Sequence, residues 1–470
     1  MADILLTHSN HLFYDPKQVK KMHPYPPLQT LIAASLLRQH GYSVAVFDST
    51  FRAPDEGFEK AVKRHQPGLI VVAEDNFNFL TKMCLVRSRE VAFSYAAAAR
   101  SAGIPIVVNG SDSADRAEDY LAHGFHYVIA GELEEALLEL CSAGVGNARG
   151  LAGLRWLDSD GTVRHGAPRR PVPSLAEIPG PAWDLVDISA YRGAWMRAHG
   201  YFSLNLASSR GCPFRCNWCA KPVYGGTYRF HPPADVAREM LRVKRAYDPH
   251  LIWFADDIFA LSRQWTADFA RAAEQIGAQT PFKMQSRCDL MTRDTVFDLR
   301  RAGCAEVWMG AESGSQRVLD AMDKDISVEE IRAACENLRA HGIRACLFLQ
   351  FGYPGETWDD IRQTIAMVRA TRPDDVGISV SYPLPNTRLY DMVRTQNTGK
   401  TNWNDSGDLD LMFQGTYTAQ FYRALADALH LEVRNGEASA AAAWKLVAQL
   451  EPASRTRFSP LPILARAGAA

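Results

Sequence analysis

The chain has 470 residues, more than one hydrophobic core organises, so two or three domains are expected. Its 52 basic and 53 acidic side chains leave a formal charge of -1, without the basic surplus on which non-specific nucleic-acid binding relies. Apolar residues make up 47% and charged residues 22%, an ordinary globular balance that excludes a largely disordered, collagen-like or low-complexity chain.

The first 145 residues alternate short apolar runs with helical stretches. Asp3–Thr7, Ser43–Asp48, Leu69–Ala73, Ile104–Val108 and Tyr127–Ala130 read as strands, and Leu28–His40 and the stretch through Ala96–Ala102 as helices. Alternation of this kind predicts a doubly wound parallel sheet covered on both faces, with any ligand beyond the carboxyl ends of the strands. Those ends carry Thr7–Asn10, Asp48–Thr50, Glu74–Asn76, Asn109–Ser111 and Gly131-Glu132. Such residues suit either a bulky polar cofactor or plain strand-to-helix loops. The segment Asn10–Tyr25 is a long loop expected to overhang the cofactor or the interdomain cleft.

Residues 146–200 read as a proline-rich connector, with a small hairpin over Leu151–Val163 and the Pro168–Pro181 stretch laid over a domain surface. From 201 to 395 a second alternation begins, with strands at Phe202–Ala207, His250–Ala255, Pro281–Ser286, Ala305–Gly310, Ala345–Phe351 and Val376–Val380. Helical stretches lie between them near 234–247, 263–277, 293–302, 327–341 and 358–371. Six strand–helix units predict a partial, six-stranded TIM-type barrel with its functional groups at the carboxyl ends of the strands. Residues 396–470 read as a small helical region with two helices and, from Ser454, a disordered tail.

Nine cysteines in so long a chain do not suggest a disulfide framework, and three of them, Cys212, Cys216 and Cys219, fall in eight residues directly after the first barrel strand. Thiolates favour iron–sulfur clusters, zinc or copper(I), and a structural zinc site would be closed by four ligands. No cysteine or histidine follows Cys219 until His231, so three ligands stand alone, as on a 4Fe-4S cluster with one open iron. The other six cysteines are scattered and read mostly as small buried hydrophobes. No apolar run reaches the roughly 18–20 residues of a membrane-spanning helix. The opening residues show no basic region before a long apolar stretch, so a cytoplasmic protein without a membrane partner is expected.

A C-x3-C-x2-C motif at the end of the first strand of a partial barrel resembles the radical S-adenosylmethionine (radical SAM) superfamily, over roughly residues 200–395. The resemblance implies a 4Fe-4S cluster on Cys212, Cys216 and Cys219 whose open iron chelates S-adenosyl-L-methionine, and reductive cleavage to a 5'-deoxyadenosyl radical. It implies an external one-electron reductant such as flavodoxin or ferredoxin. Trp218 occupies the family's aromatic position before the third cysteine. Asp256 and Asp257, after the second strand, stand where the cofactor amino group is bound, with helix capping as the alternative. Gln285 and Arg287 end the third strand; Arg287 either holds the cofactor carboxylate or pairs with Asp289. Glu312, followed by Ser313, ends the fourth and is the candidate for the ribose hydroxyls. The turn Gly352–Thr357 ends the fifth, as architecture or as an adenine contact.

The first 145 residues and the Pro181–Asp184 connector are similar to the cobalamin-binding branch of that superfamily. This implies a Rossmann-like cobalamin domain in which Asp48, Asn109, Gly110, Gly131 and Glu132 lie on the cofactor side. The D-x-H-x-x-G signature that supplies a cobalt-ligating histidine elsewhere is absent, so base-off cobalamin without a protein histidine is expected; His8, His11 and His23 read as loop or surface histidines. The segment from Val376 to Tyr390, with Asp15–Gln18 and Pro24–Leu28, resembles the group containing the anaerobic magnesium-protoporphyrin monomethyl ester cyclase, which also holds natural-product methyltransferases. The resemblance implies a cobalamin-dependent methyltransferase acting on an unactivated carbon of a small molecule, with a cyclase or other oxidoreductase as the alternative. Tyr382, Tyr390, Trp403 and Phe413 are substrate-side aromatics or core.

Overall fold

In a computed structural model, residues 2–52, 57–221, 223–396, 398–400 and 402–456 are described. The disordered tail expected from Ser454 falls almost wholly outside them. The first sheet has the order β2-β1-β3-β4-β5-β6-β7, from β1 (Ile4–Thr7), β2 (Val44–Phe47), β3 (Leu69–Ala73), β4 (Ile106–Asn109), β5 (Tyr127–Ile129), β6 (Leu154–Leu157) and β7 (Val163–His165). β1 to β5 are parallel, and the β6–β7 hairpin adds to β5 antiparallel. The continuously buried runs of β1, β3, β4 and β5 fit strands covered on both faces.

The second sheet follows β8 (Ser203–Leu206), a two-stranded excursion of β9 (Ser209–Arg210) and β10 (Arg229–Phe230), then β11 (Leu251–Phe254), β12 (Phe282–Arg287), β13 (Cys304–Glu312), β14 (Arg344–Phe351) and β15 (Asp375–Val380). Its order β15-β14-β13-β12-β11-β8 is sequential and its pairings are all parallel, the open half-barrel that the strand–helix spacing predicts. The intervening helices are amphipathic: Val296, Leu299 and Ala302, three residues apart, are all buried on the helix Arg293–Ala302. Glycines in the left-handed region close three of them, Gly277, Gly303 and Gly342.

Two expectations need correction. The hairpin placed in the connector is part of the first sheet, since Leu154 and Arg155 pair with Ile129 and Val128. The connector also ends in a helix, Ile188–His199, capped by Asp187 and burying Tyr191 and Trp195. Proline content masked it, because the prolines stop before the cap. The Asn10–Tyr25 loop contains the short helix Pro16–Lys21, and it reaches the C-terminal region, where Gln18 Nε2 donates to Ser406 Oγ at 2.8 Å. Two helices, Ala419–Asn435 and Glu437–Ala453, close the described chain.

Candidate active site at the barrel mouth

The cysteine loop leaves the barrel through β9 and returns through β10. Gly211 sits at φ +78°, and a Cβ there would lie 2.3 Å from the Thr227 carbonyl oxygen, so only glycine passes. Cys212 N donates to the Gly225 carbonyl at 3.1 Å, and Cys219 N to the Cys216 carbonyl at 3.2 Å. Between the cysteines, Asn217 pins the loop to the barrel: its backbone N donates to Met322 O at 3.0 Å and its Nδ2 to Ala321 O at 2.6 Å and Tyr353 Oη at 3.0 Å. Trp218 packs beside Met322, Tyr353 and Leu389, while its buried indole N–H has no partner.

All three thiols are free and half-buried. Burial, with Cys216 beside it, pushes the Cys219 thiol up to about 12. Cations compensate nearby. Lys82, from the first sheet's side, pairs with Asp257, and Lys324 Nζ donates to Glu312 Oε1 at 2.8 Å. Burial opposes both ammonium charges, but Asp257 and Glu312 outweigh it, so both lysines are held above their ordinary value, with Cys219 and Cys216 contributing in turn. Among the described residues no three His, Cys, Asp or Glu side chains converge on one metal ion. A four-iron cluster does not ask for that convergence, because each thiolate binds its own iron at a separate corner. Three free thiols on one loop with cations behind them fit that group.

The expected cofactor residues sit around this loop with different degrees of freedom. Asp256 is fully buried and accepts hydrogen bonds from Ser208 N at 3.0 Å, Ser208 Oγ at 2.7 Å and Ser209 Oγ; burial pushes its carboxyl up to about 6. It therefore shapes the turn into the cysteine loop. Asp257 accepts from Lys82 and from Gly211 N at 3.2 Å. Neither is the cap of the following helix, which is Ser262, and this corrects the capping alternative. Gln285 Nε2 donates to the Asp256 carbonyl at 2.7 Å. Arg287 pairs with Asp289 through Nε at 2.9 Å, as the structural alternative held, and its guanidinium lies 3.7 Å from the Phe214 ring centroid. Yet its Nη1 is buried without a partner, a donor free for an anion.

Glu312 sits at φ +60°, where β13 slips register against β14 between Gly310 and Glu312. A non-glycine residue in that region carries strain, which concentrates at functional sites. Gly310 makes the room: a Cβ there would lie 2.6 Å from both Glu312 Oε1 and Lys324 Nζ. Ser313 turns inward to Ser315 N and Thr364 Oγ1, at 3.1 and 3.2 Å, a structural role. Lys82 and Lys324 escaped the sequence reading, since Lys82 ends the four-residue helix Phe79–Lys82, Lys324 lies between two helices, and no spacing marks either.

Across the mouth stand the strand ends of the first sheet. Asp48 accepts from Tyr191 Oη at 2.7 Å and lies 3.1 Å from His8 Nε2. Asn109 Nδ2 donates to the Ile129 and Gly131 carbonyls, both at 2.9 Å. Gly110 packs on Glu74, and Gly131, at φ +87°, has open space beyond its Cα. Glu132 faces Arg210 and Arg229. A small cleft lies beside these ends, lined by Ser9, Asn10, Glu74, Arg89, Asp112 and Tyr120 among others. Both ring nitrogens of His8 and of His11 are engaged, His11 by the Arg52 carbonyl at 2.8 Å and Tyr95 Oη at 2.9 Å. His23 stacks on Trp195, and burial pushes its imidazole down to about 3. Of the four substrate-side aromatics, Trp403 and Phe413 are buried, Tyr382 packs edge-on against Trp403 at 4.3 Å, and Tyr390 is exposed.

Residues 206–368, the half-barrel and the three thiols at its mouth, match the family model described as the Radical SAM superfamily. Among curated proteins, the chain is 28% identical over 287 residues to an uncharacterized methyltransferase of Pyrococcus horikoshii, covering 60% of this chain and 61% of that one. It is 25% identical to the anaerobic magnesium-protoporphyrin IX monomethyl ester cyclase of Cereibacter sphaeroides, over 57% of this chain and 45% of the relative. The chain thus spans about half the length of these relatives. Among solved structures, the radical S-adenosylmethionine methyltransferase TsrM of Kitasatospora setae, with cobalamin and a 4Fe-4S cluster bound, superimposes with a TM-score of 0.65 at 20% identity, covering 86% of this chain and 76% of that one. The cobalamin-dependent S-adenosylmethionine radical enzyme OxsB, with aqua-cobalamin and S-adenosylmethionine bound, gives 0.70 at 18% identity, over 91% and 66%. At these identities the likeness establishes the two-part fold.

Proposed function

We propose that the chain is a cobalamin-dependent radical SAM methyltransferase that alkylates an unactivated carbon of a small molecule. The observation that carries this reading is the juxtaposition of three free thiols at the barrel mouth with the strand ends of a second parallel sheet, joined through Lys82 and Asp257. Cys212, Cys216 and Cys219 would hold the 4Fe-4S cluster, and Arg287 Nη1 would take the cofactor carboxylate, the one anion that its unpartnered donor suits. Asp257 and Glu312 each carry an ammonium in this structure, from Lys82 and Lys324, and so can exchange it for the amino group and ribose hydroxyls of S-adenosylmethionine. The cluster would supply the electron that cleaves the sulfonium, and base-off cobalamin the methyl transfer; the protein supplies position and a dry site.

The open Gly131 edge and the polar cleft beside it support cobalamin at the first sheet, and the engaged rings of His8 and His11 support cobalt without a ligand from either histidine. The named methyltransferases among the relatives support alkylation, and the cyclase relatives support the oxidative alternative. An anaerobic assay with a one-electron reductant of the flavodoxin or ferredoxin kind separates them. The methyltransferase reading expects 5'-deoxyadenosine and S-adenosylhomocysteine together; 5'-deoxyadenosine alone with oxidised product would replace it by the cyclase type.

A further inference from the structure

Arg210 lies two residues before Cys212, and Tyr224 five residues after Cys219. Both point to the first sheet's side of the molecule. Arg210 is 1% exposed, its Nη2 donates to Glu134 Oε1 at 2.6 Å, and its Nη1 lies 3.5 Å from Glu132 Oε2. Tyr224 Oη donates to Gln29 Oε1 at 2.5 Å, and Gln29 Nε2 donates in turn to Glu134 Oε1 at 2.9 Å. The Arg210 guanidinium lies 5.0 Å from the Tyr224 ring centroid, which closes the network on itself. A third tie runs from Lys82 through Asp257 to Gly211 N. Glu132, Glu134, Gln29 and Lys82 all belong to the first 145 residues.

We infer that the first domain is a clamp on the cysteine loop, in which Glu134, Gln29 and Lys82 act as positioning residues for the three thiols. The loop has few bonds of its own, and thiolates that share a cluster must be held within about 0.5 Å of their places. One flank is pinned by Asn217 to the barrel. At its two ends the buried side chains of Arg210 and Tyr224 are held from across the domain boundary, beside the backbone contacts that Asp256 and Asp257 make from the barrel. A buried guanidinium whose two arms reach two carboxylates is an exacting anchor, since its planar fork fixes direction as well as distance.

This inference rests on the cluster reading for its purpose, yet it can be tested on apoprotein. Cluster-free protein is given limiting N-ethylmaleimide, and the rate at each cysteine is read by mass spectrometry for wild type, Glu134→Gln and Gln29→Ala. The clamp expects Cys212, Cys216 and Cys219 to react roughly fivefold to tenfold faster in the variants, the worth of one lost buried hydrogen bond, with Cys141 unchanged. Iron uptake on reconstitution should fall in parallel. Wild-type rates in both variants would overturn it, as would a rise shared equally by Cys141, which would mark general loosening. Wild-type protein that takes up no iron would instead sink the cluster reading, while the thiol rates still judge the clamp.

Discussion

The two parallel sheets present the same topological feature, a row of carboxyl strand ends, and furnish it in opposite ways. At the barrel mouth the ends carry groups with valence to spare: three free thiols, an unpartnered Arg287 Nη1, and carboxylates at Asp257 and Glu312 neutralised only by lysines from elsewhere. On the first sheet most polar ends are spent on one another, with Asp48 on His8 and Tyr191 and Asn109 on two backbone carbonyls, although Asn76 Oδ1 is buried without a partner. What that sheet leaves open is space. The contrast predicts that a ligand at the barrel mouth is held by ligation and ion pairing, and one at the first sheet by shape.

Single substitutions should therefore be severe at the barrel and mild at the first sheet. The largest effect is expected at the thiols. Cys212→Ala, Cys216→Ala or Cys219→Ala should each abolish S-adenosylmethionine cleavage and strip most of the roughly four irons per chain that the cluster requires. Cleavage retained in any one of them breaks the contrast at its strongest point. Next comes Glu312→Gln, which keeps the shape beside Lys324 but removes the charge. Affinity for S-adenosylmethionine should drop about tenfold to a hundredfold, the 1.5–3 kcal/mol of a charged buried hydrogen bond, with the cluster absorbance unchanged. Equilibrium dialysis showing wild-type affinity would return Glu312 to a purely structural pair with Lys324.

At the first sheet the expectation reverses. Ser88→Ala, at the cleft wall, should change cobalamin retention after desalting by less than about threefold, because one hydroxyl among many contacts is worth little. Asn10→Trp, which fills the space, should remove it. His8→Ala should leave the paramagnetic-resonance spectrum of bound cob(II)alamin without nitrogen coupling, as in wild type; coupling lost in the variant would identify His8 as a ligand. A large effect of Ser88→Ala would show that this sheet, too, binds by a specific group.

This contrast also governs what the sequence disclosed. The barrel strands and helices were legible almost to the residue, the helices Arg293–Ala302 and Trp358–Thr371 coinciding with their expected spans, because apolar spacing and glycine stops are local signals. The cysteine loop was legible because its three cysteines fall within eight residues. Lys324, Lys82 and the Arg210–Glu134 tie were not, since each joins segments with no common periodicity, the last across 76 residues. Short helices such as Ser111–Asp115 and Ala117–Ala122 escaped for a related reason: five or six residues hold too few turns to show a period.

The smallest effect concerns a group in the turn that ends the fifth barrel strand. Glu356, in the turn after β14, is 1% exposed; its Oε2 accepts from Gly352 N at 2.6 Å and its Oε1 has no partner. Burial pushes its carboxyl up to about 8, so the folded protein holds a proton there that the unfolded chain releases above its ordinary value of 4.5. The sign follows: its contribution to stability is complete below about pH 4.5 and is lost as pH rises through about 8. Within that window the slope from this one group can approach about 1.4 kcal/mol per pH unit. Asp75, Asp115 and Asp256, all pushed up to about 6, and Lys21, pushed down to about 8, act alike in wild type and in a Glu356 variant, so the difference between the two reads Glu356. Glu356→Gln mimics the protonated acid and should match wild-type stability only near pH 4.5, with its lead growing as pH rises. The variant should then pull ahead by a few degrees in Tm at pH 8. Parallel Tm curves for the two proteins from pH 6 to 8 would show that Glu356 is ionised when folded, and that the turn pays for a buried charge rather than avoiding one.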